Sequence, residues 1–345
     1  MTDELPERRT SHPYVMYDMI HEIPSGIDGT LKKLESFDSS FLEEPLIFTG
    51  NGTAYHSAVL GAQFLSGSGI QWNHIQAYEL RHYFKPSGSI IAFSHTGKTL
   101  STVEVVRQYR RTLKTVGITH YPDSPLAKES EVSYVIGNSP DLSLCNTKAF
   151  FDNAFAAMTI ADRIASLDLD FRGFLEAIRR DMFAAEEKVR KICGELAGLH
   201  DIFVLGAGPN FIAAREAAQK MKESTHLHAE GIELEEFNHG CTSVIDDRTA
   251  VFIISGPEDA GRTLDIVRAC REVGTKTVVI NQDGDYSLYT TPVDNELFNP
   301  ILAMIPLYYF AYYMAIEMGI NPDYLRFEDP RYLRYDSVVF PPGAH

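Results

Sequence analysis

The sequence predicts an α/β protein built from two tandem, doubly wound parallel sheets. Short apolar runs without alternation recur along the chain, as expected for strands buried on both faces. Helical patterns, such as the one over 99–113, separate these runs. The order of strand, glycine turn and helix occurs in both halves of the chain, which indicates two similar α/β units.

The predicted strands form one set in each half. The first half contains LIFTGNGT (46–53), SIIAFSHTG (89–97), KTVGITH (114–120) and VSYVIGN (132–138). The second half contains DIFVLGAG (201–208), TAVFIISG (249–256) and TKTVVINQDG (275–284). Three pairs of positions align at shifts of 156 to 162 residues: Gly50 with Gly206, Ser94 with Ser255, and Thr119 with Asn281. Three aligned strands favour duplication over chance similarity of two βα units.

The domain organisation follows from this repeat and from the helical pattern over 150–195. The predicted segments are an N-terminal segment (1–25), a first sheet domain (26–165), connecting helices (166–195), a second sheet domain (196–330) and a C-terminal tail (331–345).

Composition excludes several classes of protein. The 345 residues carry a formal net charge of −16, which argues against nucleic acid as a partner. A small anion is still allowed, because local donors can hold it against the overall charge. The four cysteines form no paired motif, so neither a zinc site nor a disulfide framework is predicted. We expect no metal and no cofactor.

The localisation is expected to be cytoplasmic. The N-terminus shows no apolar signal segment. The apolar stretch over 300–320 is long enough to span a bilayer, but it contains Pro306, five aromatic residues and Glu317. It therefore predicts a buried helix, and no membrane association is expected.

The stretch FSHTGKT (93–99) contains the first candidate site. Ser94, Thr96 and Thr99 surround a glycine where a strand should end and a helix begin. Hydroxyls and free backbone N–H groups at a helix start suit phosphate, although helix capping explains Ser and Thr there equally well. The equivalent stretch in the second half, SGPEDAGRT, has lost the hydroxyl run and gained Glu258 and Asp259. We expect the first copy alone to bind phosphate.

The second candidate site lies in REAAQKMKESTHLHAEGIELEEFNHG (215–240). Glu216, Lys220 and Glu223 are spaced so that they share one helix face. Ordinary surface ion pairs would give the same spacing, but this helix begins at a glycine turn at the ligand end of a predicted sheet. A metal site from His226, His228 and a glutamate matches no familiar ligand spacing.

Six motifs, in unbroken order over about residues 14–330, resemble the double sugar isomerase (SIS) family. They are MYDMIHEIP, GNGTAYH, SHTGKT, CNTKAF, QKMKES and EFNHG. The resemblance is to the isomerase half of the glutamine–fructose-6-phosphate aminotransferases and to the fructosamine-6-phosphate deglycases. It implies two SIS domains, each a flavodoxin-like αβα sandwich. The 16-residue step from Glu223 to His239 equals that of the family.

The resemblance also implies roles for individual residues. Glu223 would be the base that moves a proton between C1 and C2 of a sugar phosphate, and His239 would open the sugar ring, usually from a neighbouring subunit. His95 stands for a glutamine and Lys98 for a glutamate, so this loop should be more basic than usual. The binding residues would be Asn51, Gly52, Thr53, Ser94, His95, Thr96, Thr99 and Lys220, with Ala54 in place of a serine.

Two departures from the aminotransferase pattern shape the functional prediction. Residue 2 is Thr2 and the first cysteine is Cys145, so no glutaminase activity is expected. The family's Schiff-base lysine lies in a segment like Asn-Leu-Ala-Lys-Ser-Val, where DPRYLRYDSVVF has Arg334 and Tyr335. A carboxylate base and an imidazole suit C1–C2 proton transfer.

Three functions remain open from the sequence. The first is a fructosamine-6-phosphate deglycase, which needs no such lysine. The second is a glucosamine-6-phosphate deaminase or an aldose–ketose phosphosugar isomerase. The third is a sugar-phosphate sensor without turnover. The expected partner is a small sugar phosphate, and the expected assembly is a homodimer or larger homo-oligomer with shared active sites.

Overall fold

The structure, a computed structural model, describes residues 9–339, which divide into two compact units. The first unit contains residues 19–169 and 326–339, and the second contains residues 9–18 and 170–325. Each unit has a five-stranded parallel sheet with helices, so the predicted α/β class with two doubly wound sheets is confirmed. The first unit also includes residues 326–339 from the second half of the chain, and the second unit includes residues 9–18 from the first half.

The helices and strands of the first half are short and regular. Their bounds are α1 (Val15–His21), α2 (Ile23–Lys33), β1 (Leu46–Thr49), α3 (Gly52–Ala62), β2 (Trp72–His74), α4 (Ala77–His82), β3 (Ser89–Phe93), α5 (Leu100–Tyr109), β4 (Lys114–Thr119), α6 (Pro125–Glu129), β5 (Val132–Val135) and α7 (Thr147–Ala165). The second half contains α8 (Phe171–Glu195), β6 (Asp201–Gly206), α9 (Pro209–Thr225), β7 (His228–Glu233), β8 (Thr249–Ile254), α10 (Ala260–Glu272), β9 (Lys276–Ile280), β10 (Tyr286–Leu288), α11 (Asn299–Glu317) and α12 (Pro330–Val339).

The two sheets have the same strand order. It is β2-β1-β3-β4-β5 in the first unit and β7-β6-β8-β9-β10 in the second, with every pair parallel. All residues of β3 and β8 are buried, which explains why their sequences are apolar at nearly every position. In this order the topological switch point, where ligands bind in such folds, lies between β1 and β3 in one sheet and between β6 and β8 in the other.

Three strands were not predicted: β2, β7 and β10. Each lies at one end of its sheet and is only partly buried. Partly buried edge strands need no continuous apolar run, so their sequences lack the signal that identified the central strands. The third of these strands extends the second sheet beyond β9, in the same way as β5 extends the first.

The helical pattern over 150–195 forms two helices, α7 and α8. The C-cap of α7 is Ser166, which adopts a left-handed conformation. The N-cap of α8 is Asp170, whose carboxylate accepts a hydrogen bond of 2.9 Å from the Gly173 N–H. Helix α7 packs against α3 in the first unit, and α8 packs against α11 in the second.

The most apolar stretch of the sequence forms α11, which is buried in the second unit. It packs against α8 and α9, and its residues from Pro300 to Ala315 are all buried. No helix within residues 9–339 is long and apolar enough to cross a membrane.

Candidate active site

The loop over residues 94–99 follows β3 at the switch point of the first sheet. The Ser94 hydroxyl accepts a hydrogen bond of 3.1 Å from the Gly97 N–H and lies 3.1 Å from the Thr99 hydroxyl. The Thr96 hydroxyl accepts one of 3.2 Å from the Lys98 N–H. Gly97 has a φ of +64°, and a Cβ there would lie 2.2 Å from the Ser124 Oγ. Only glycine therefore fits this turn.

The Thr99 side chain distinguishes between the anion-binding and the helix-capping interpretations of this loop. It occupies the N-cap of α5, yet its side chain makes no capping hydrogen bond and instead meets the Ser94 hydroxyl. Converging hydroxyls beside the start of a helix are the arrangement expected of an anion site. The geometry therefore favours anion binding over capping.

The first glycine turn is tied to the same helix start. Asn51, the N-cap of α3, donates hydrogen bonds of 2.9 Å to Ser101 Oγ and 2.8 Å to Thr102 Oγ1. Gly52 has a φ of +51°, and Thr53 is buried in the first turn of α3. The structure thus brings the 51–53 turn and the start of α5 together at one edge of the first sheet.

His95 corrects one expectation about the charge of the loop. Its Nε2 accepts a hydrogen bond of 3.0 Å from the Asp141 N–H, so the ring proton lies on Nδ1. Burial lowers the pKa of His95 well below the ordinary value, and the nearby charges of His120 and Lys148 lower it further. The expectation that His95 makes the loop more basic is wrong, because the ring stays neutral. Lys98 alone of the two replacements adds charge.

The phosphate interpretation leads to a prediction for Thr99. Thr99→Ala should weaken binding of inorganic phosphate or a hexose 6-phosphate by roughly 1.5–3 kcal/mol, the range for a hydrogen bond to a charged group. Isothermal titration calorimetry measures this change. The matched control is Thr112→Ala, an exposed threonine in the same unit. Unchanged affinity, together with a loss of about 1 kcal/mol in unfolding free energy, would identify Thr99 as a helix cap instead.

Glu216, Lys220 and Glu223 share one face of α9 in the second unit, as their spacing predicts. The Lys220 Nζ lies 2.7 Å from Glu223 Oε2 and 3.6 Å from Glu216 Oε1. Glu216 and Lys220 are buried, and the Tyr308 hydroxyl donates a hydrogen bond of 3.3 Å to Glu216. These three residues form an internal charge cluster and not the surface ion pairs of the alternative interpretation.

Glu223 is the most accessible member of this cluster, with 21% of its side chain exposed. Burial raises the pKa of its carboxyl group, and the Lys220 charge opposes this effect only in part. The Gln219 side chain donates a hydrogen bond of 2.8 Å to Glu223 Oε1, which fixes the orientation of the carboxylate. An oriented, solvent-reachable carboxylate with a raised pKa is chemically suited to accept and return a proton.

His239 also lies in the second unit, directly after the 3₁₀ turn Glu236–Asn238. Its backbone N–H donates a hydrogen bond of 2.9 Å to the Glu236 carbonyl, and its side chain is exposed. The loop that contains it therefore presents the imidazole at the surface of this unit.

The second sheet has an equivalent of the 94–99 loop, but it already holds an anion. Asp259, the N-cap of α10, accepts hydrogen bonds from the Gly256 N–H (2.6 Å) and the Ser255 hydroxyl (3.4 Å). A carboxylate of the chain thus occupies the donors that a phosphate would use. This observation supports the expected difference between the two copies and gives Asp259 a specific role in it.

Sequence reasoning missed a buried polar network next to His95. The His120 Nε2 lies 3.0 Å from Asp152 Oδ2, and both side chains are fully buried. The Lys148 Nζ is also buried and donates to Glu22 Oε2 (2.9 Å) and Ser139 Oγ (2.8 Å). The sequence could have predicted part of this network, because His95 and His120 follow neighbouring strands and therefore meet at one edge of the sheet.

Metal ligation is not indicated in the part of the chain that the structure describes. No group of three or more His, Cys, Asp or Glu side chains is placed there to hold an ion. His228, considered as a ligand, instead pairs with Asp201 across 2.7 Å. The four cysteines are free thiols.

Comparison with known proteins identifies relatives over most of the chain. A family model described as SIS domain matches residues 43–163 and 195–318. A glutamine–fructose-6-phosphate aminotransferase (isomerizing) of Sulfolobus acidocaldarius is 27% identical over 331 residues, covering 91% of this chain and 56% of that protein. The chain thus spans about half the length of the curated relatives that it matches.

Solved structures share the fold. The C-terminal domain of glucosamine-fructose-6-phosphate aminotransferase from Francisella tularensis superposes with a TM-score of 0.80 at 19% identity, covering 92% of this chain and 100% of that one. Glucosamine-6-phosphate deaminase from Thermotoga maritima gives 0.77 at 23% identity, covering 90% and 97%. Because the family model covers well over half of the chain in two segments, one in each sheet unit, this protein belongs to the SIS-domain family.

Proposed function

We propose that the chain is a phosphosugar enzyme, specifically a fructosamine-6-phosphate deglycase. The observation that carries this proposal is the oriented Glu223 carboxylate with a raised pKa, held 2.7 Å from buried Lys220. Binding a sugar phosphate without turnover requires no such carboxylate, so this geometry favours an enzyme over a sensor. The hydroxyl loop of the first unit supplies donors for the 6-phosphate group.

In the proposed reaction the substrate already has an amine on C1 and a carbonyl at C2. His239 moves the proton that opens the sugar ring. Glu223 removes a proton from C1, and the electron pair forms a C1–C2 double bond while the C2 oxygen gains a proton. Return of a proton to C2 converts this enolamine into a C1 imine. Water then adds to C1 and the C1–N bond breaks, which releases the amine and an aldose 6-phosphate.

This route forms the imine between the sugar and its own amine, so it needs no protein lysine. The segment that resembles the family's lysine-bearing tail lies in α12 and has Arg334 and Tyr335 there, both exposed. That replacement favours the deglycase over a reaction that begins with a protein–sugar imine.

The experiment that tests the proposal is a substrate panel. Fructosyl-amino acid 6-phosphates, glucosamine 6-phosphate and fructose 6-phosphate are each incubated with the protein, and released amine or ammonia is quantified. We expect amine release from the fructosyl-amines without added ammonia, and no protein–sugar adduct after borohydride reduction. Fast ammonia release from glucosamine 6-phosphate, with fructosyl-amines unchanged, would identify a deaminase. Interconversion of hexose phosphates alone would identify an isomerase.

We further propose that the active assembly is a homodimer or larger, with His239 acting on a neighbouring subunit's substrate. The exposed position of His239 in its own unit supports this arrangement. Mixing inactive Glu223→Gln protein with inactive His239→Ala protein should restore part of the activity through hybrid sites. As a control, protein that carries both substitutions is mixed with wild-type protein, which shows how many active sites a hybrid assembly contains. No recovery despite demonstrated subunit exchange would place both residues in the site of one chain.

A further inference from the structure

His95, the second residue of the 94–99 loop, is held from several sides. Its carbonyl accepts hydrogen bonds of 3.1 Å from both the Thr119 hydroxyl and the His120 N–H. Its ring packs edge-to-face on the His120 ring, with 4.6 Å between the centroids. With Nε2 accepting from the Asp141 N–H, the single ring donor left to His95 is Nδ1–H. Both the backbone and the tautomer of His95 are therefore set by its neighbours.

His120 is in turn fixed by Asp152 on α7. The 3.0 Å contact between His120 Nε2 and Asp152 Oδ2 is enclosed by two glycines. A Cβ at Gly26 would lie 2.4 Å from Asp152 Oδ1, and one at Gly137 would lie 2.8 Å from Asp152 Oδ2 and 2.9 Å from His120 Cδ2. Side chains larger than hydrogen at these positions would displace the pair, so the backbone is shaped around it.

The charge state of this pair follows from its burial. Burial raises the pKa of Asp152 and lowers the pKa of His120, and the charge of Lys148 lowers the pKa of both. With a pKa lowered to about 3, His120 is neutral near pH 7, and its Nε2 hydrogen-bonds the Asp152 carboxyl group, whose pKa is raised to about 7. The charged or titratable groups around His95 and this pair are Lys148, Lys33, Glu22, Asp141 and Tyr121.

Lys148 and Asp141 complete the framework from α7 and the preceding loop. Lys148 donates to Ser139 Oγ and to the Pro140 carbonyl (3.3 Å), which anchors the loop just before Asp141. The Asp141 carboxylate accepts from the Ala149 N–H (3.0 Å) in the first turn of α7. The N–H that fixes the His95 tautomer is thus held rigidly.

We propose that His120 and Asp152 are positioning residues that hold His95 as a neutral Nδ1–H donor for the phosphate group of the substrate. This proposal rests on the phosphate-binding role assigned above to the 94–99 loop. A neutral donor at this position leaves the positive charge of the loop to Lys98. The affinity for phosphate is then independent of histidine protonation.

The test combines nuclear magnetic resonance with phosphate binding, using the full chain labelled with ¹⁵N-histidine. Comparison with His95→Gln protein assigns the His95 signals. In the wild type we expect the Nδ1–H tautomer and no protonation of His95 between pH 8 and pH 5.5. Titration of His95 near pH 6.5, the ordinary histidine value, would overturn the proposal without any ligand being present.

Variants at residue 152 test the connection to His95. Asp152→Ala removes the hydrogen-bond partner of His120 and admits water, so the His95 pKa should rise toward its ordinary value. Affinity for inorganic phosphate at pH 8 should fall roughly tenfold, about the value of one neutral hydrogen bond, and the deficit should shrink at pH 6. Asp152→Asn keeps the shape of the side chain and a hydrogen-bonding group opposite His120 Nε2, so it should restore the wild-type behaviour. Failure of this rescue would overturn the proposal.

Two controls separate this proposal from general destabilisation and from the proposed function. Asp181→Ala removes another buried carboxylate, one that accepts a hydrogen bond of 2.8 Å from the Thr291 N–H in the second unit. It should leave the His95 signals and phosphate affinity unchanged, and an equal effect from it would overturn the proposal. If the wild type binds no phosphate while His95 remains neutral, the phosphate site is wrong but the positioning of His95 stands.

Discussion

Replacing Glu223 with glutamine is expected to leave the fold intact and to lower turnover roughly 10²- to 10⁴-fold, the contribution of a general base. Glutamine has the same shape and can retain a contact with Gln219, so the loss would reflect proton transfer and not packing. The measurement is kcat/KM on the fructosyl-amine that the panel identifies. Exposed Glu230 on β7 offers a matched control, and Glu230→Gln should change activity less than twofold.

The pH dependence of the wild type provides a second check on Glu223. A base acts when deprotonated, so kcat/KM should rise with pH as the pH passes the raised pKa of Glu223, at a value above 4.5. The residual activity of Glu223→Gln should lack this rise. Activity within a few-fold of the wild type in Glu223→Gln would remove this residue from the mechanism.

Lys220→Met is expected to have the largest effect on stability. It removes the buried ammonium group that lies between the carboxylates of Glu216 and Glu223. Breaking a buried ion pair from one side leaves charge uncompensated and costs about 3–5 kcal/mol. Urea denaturation of the full chain at pH 7.5 measures this loss. Exposed Lys222, on the same helix, gives the control Lys222→Met, for which we expect almost no change.

The sign of the pH effect distinguishes this explanation from lost packing. Without Lys220 the buried carboxylates of Glu216 and Glu223 lose their compensating charge, so the folded variant binds protons more tightly than the unfolded chain. The stability deficit should therefore be small at low pH and should grow as the pH rises and these carboxylates deprotonate. Adding Glu216→Gln to Lys220→Met should recover much of the loss. A deficit that does not vary with pH would contradict the electrostatic explanation.

The sequence predicted the central strands because those strands are buried on both faces. β3 and β8 are apolar at nearly every position, whereas β2 and β7 at the sheet ends carry polar residues and give no such signal. Helical spacing also predicted that Lys220 meets two carboxylates. It did not predict that Lys220 would be buried, because periodicity records which residues share a face and not what covers that face.

The residues of the 94–99 loop also show what the sequence alone does not predict. Composition identified Ser94, Thr96 and Thr99 as hydroxyls at a strand end, but capping and anion binding require the same residue types. The direction of the Thr99 side chain favours one of them, and direction is a tertiary property. His95 was misjudged for a related reason: its charge depends on burial and on His120 and Lys148, which are distant in sequence.

Asp259 is expected to limit the number of phosphate groups that one chain can hold. Its carboxylate is tethered four residues from Ser255, so it is present at its own donors at a far higher effective concentration than any dissolved anion. A free phosphate would have to displace it and leave a half-buried carboxylate without its hydrogen bonds. The two sheets share one topology, but the expected stoichiometry is a single phosphate per chain.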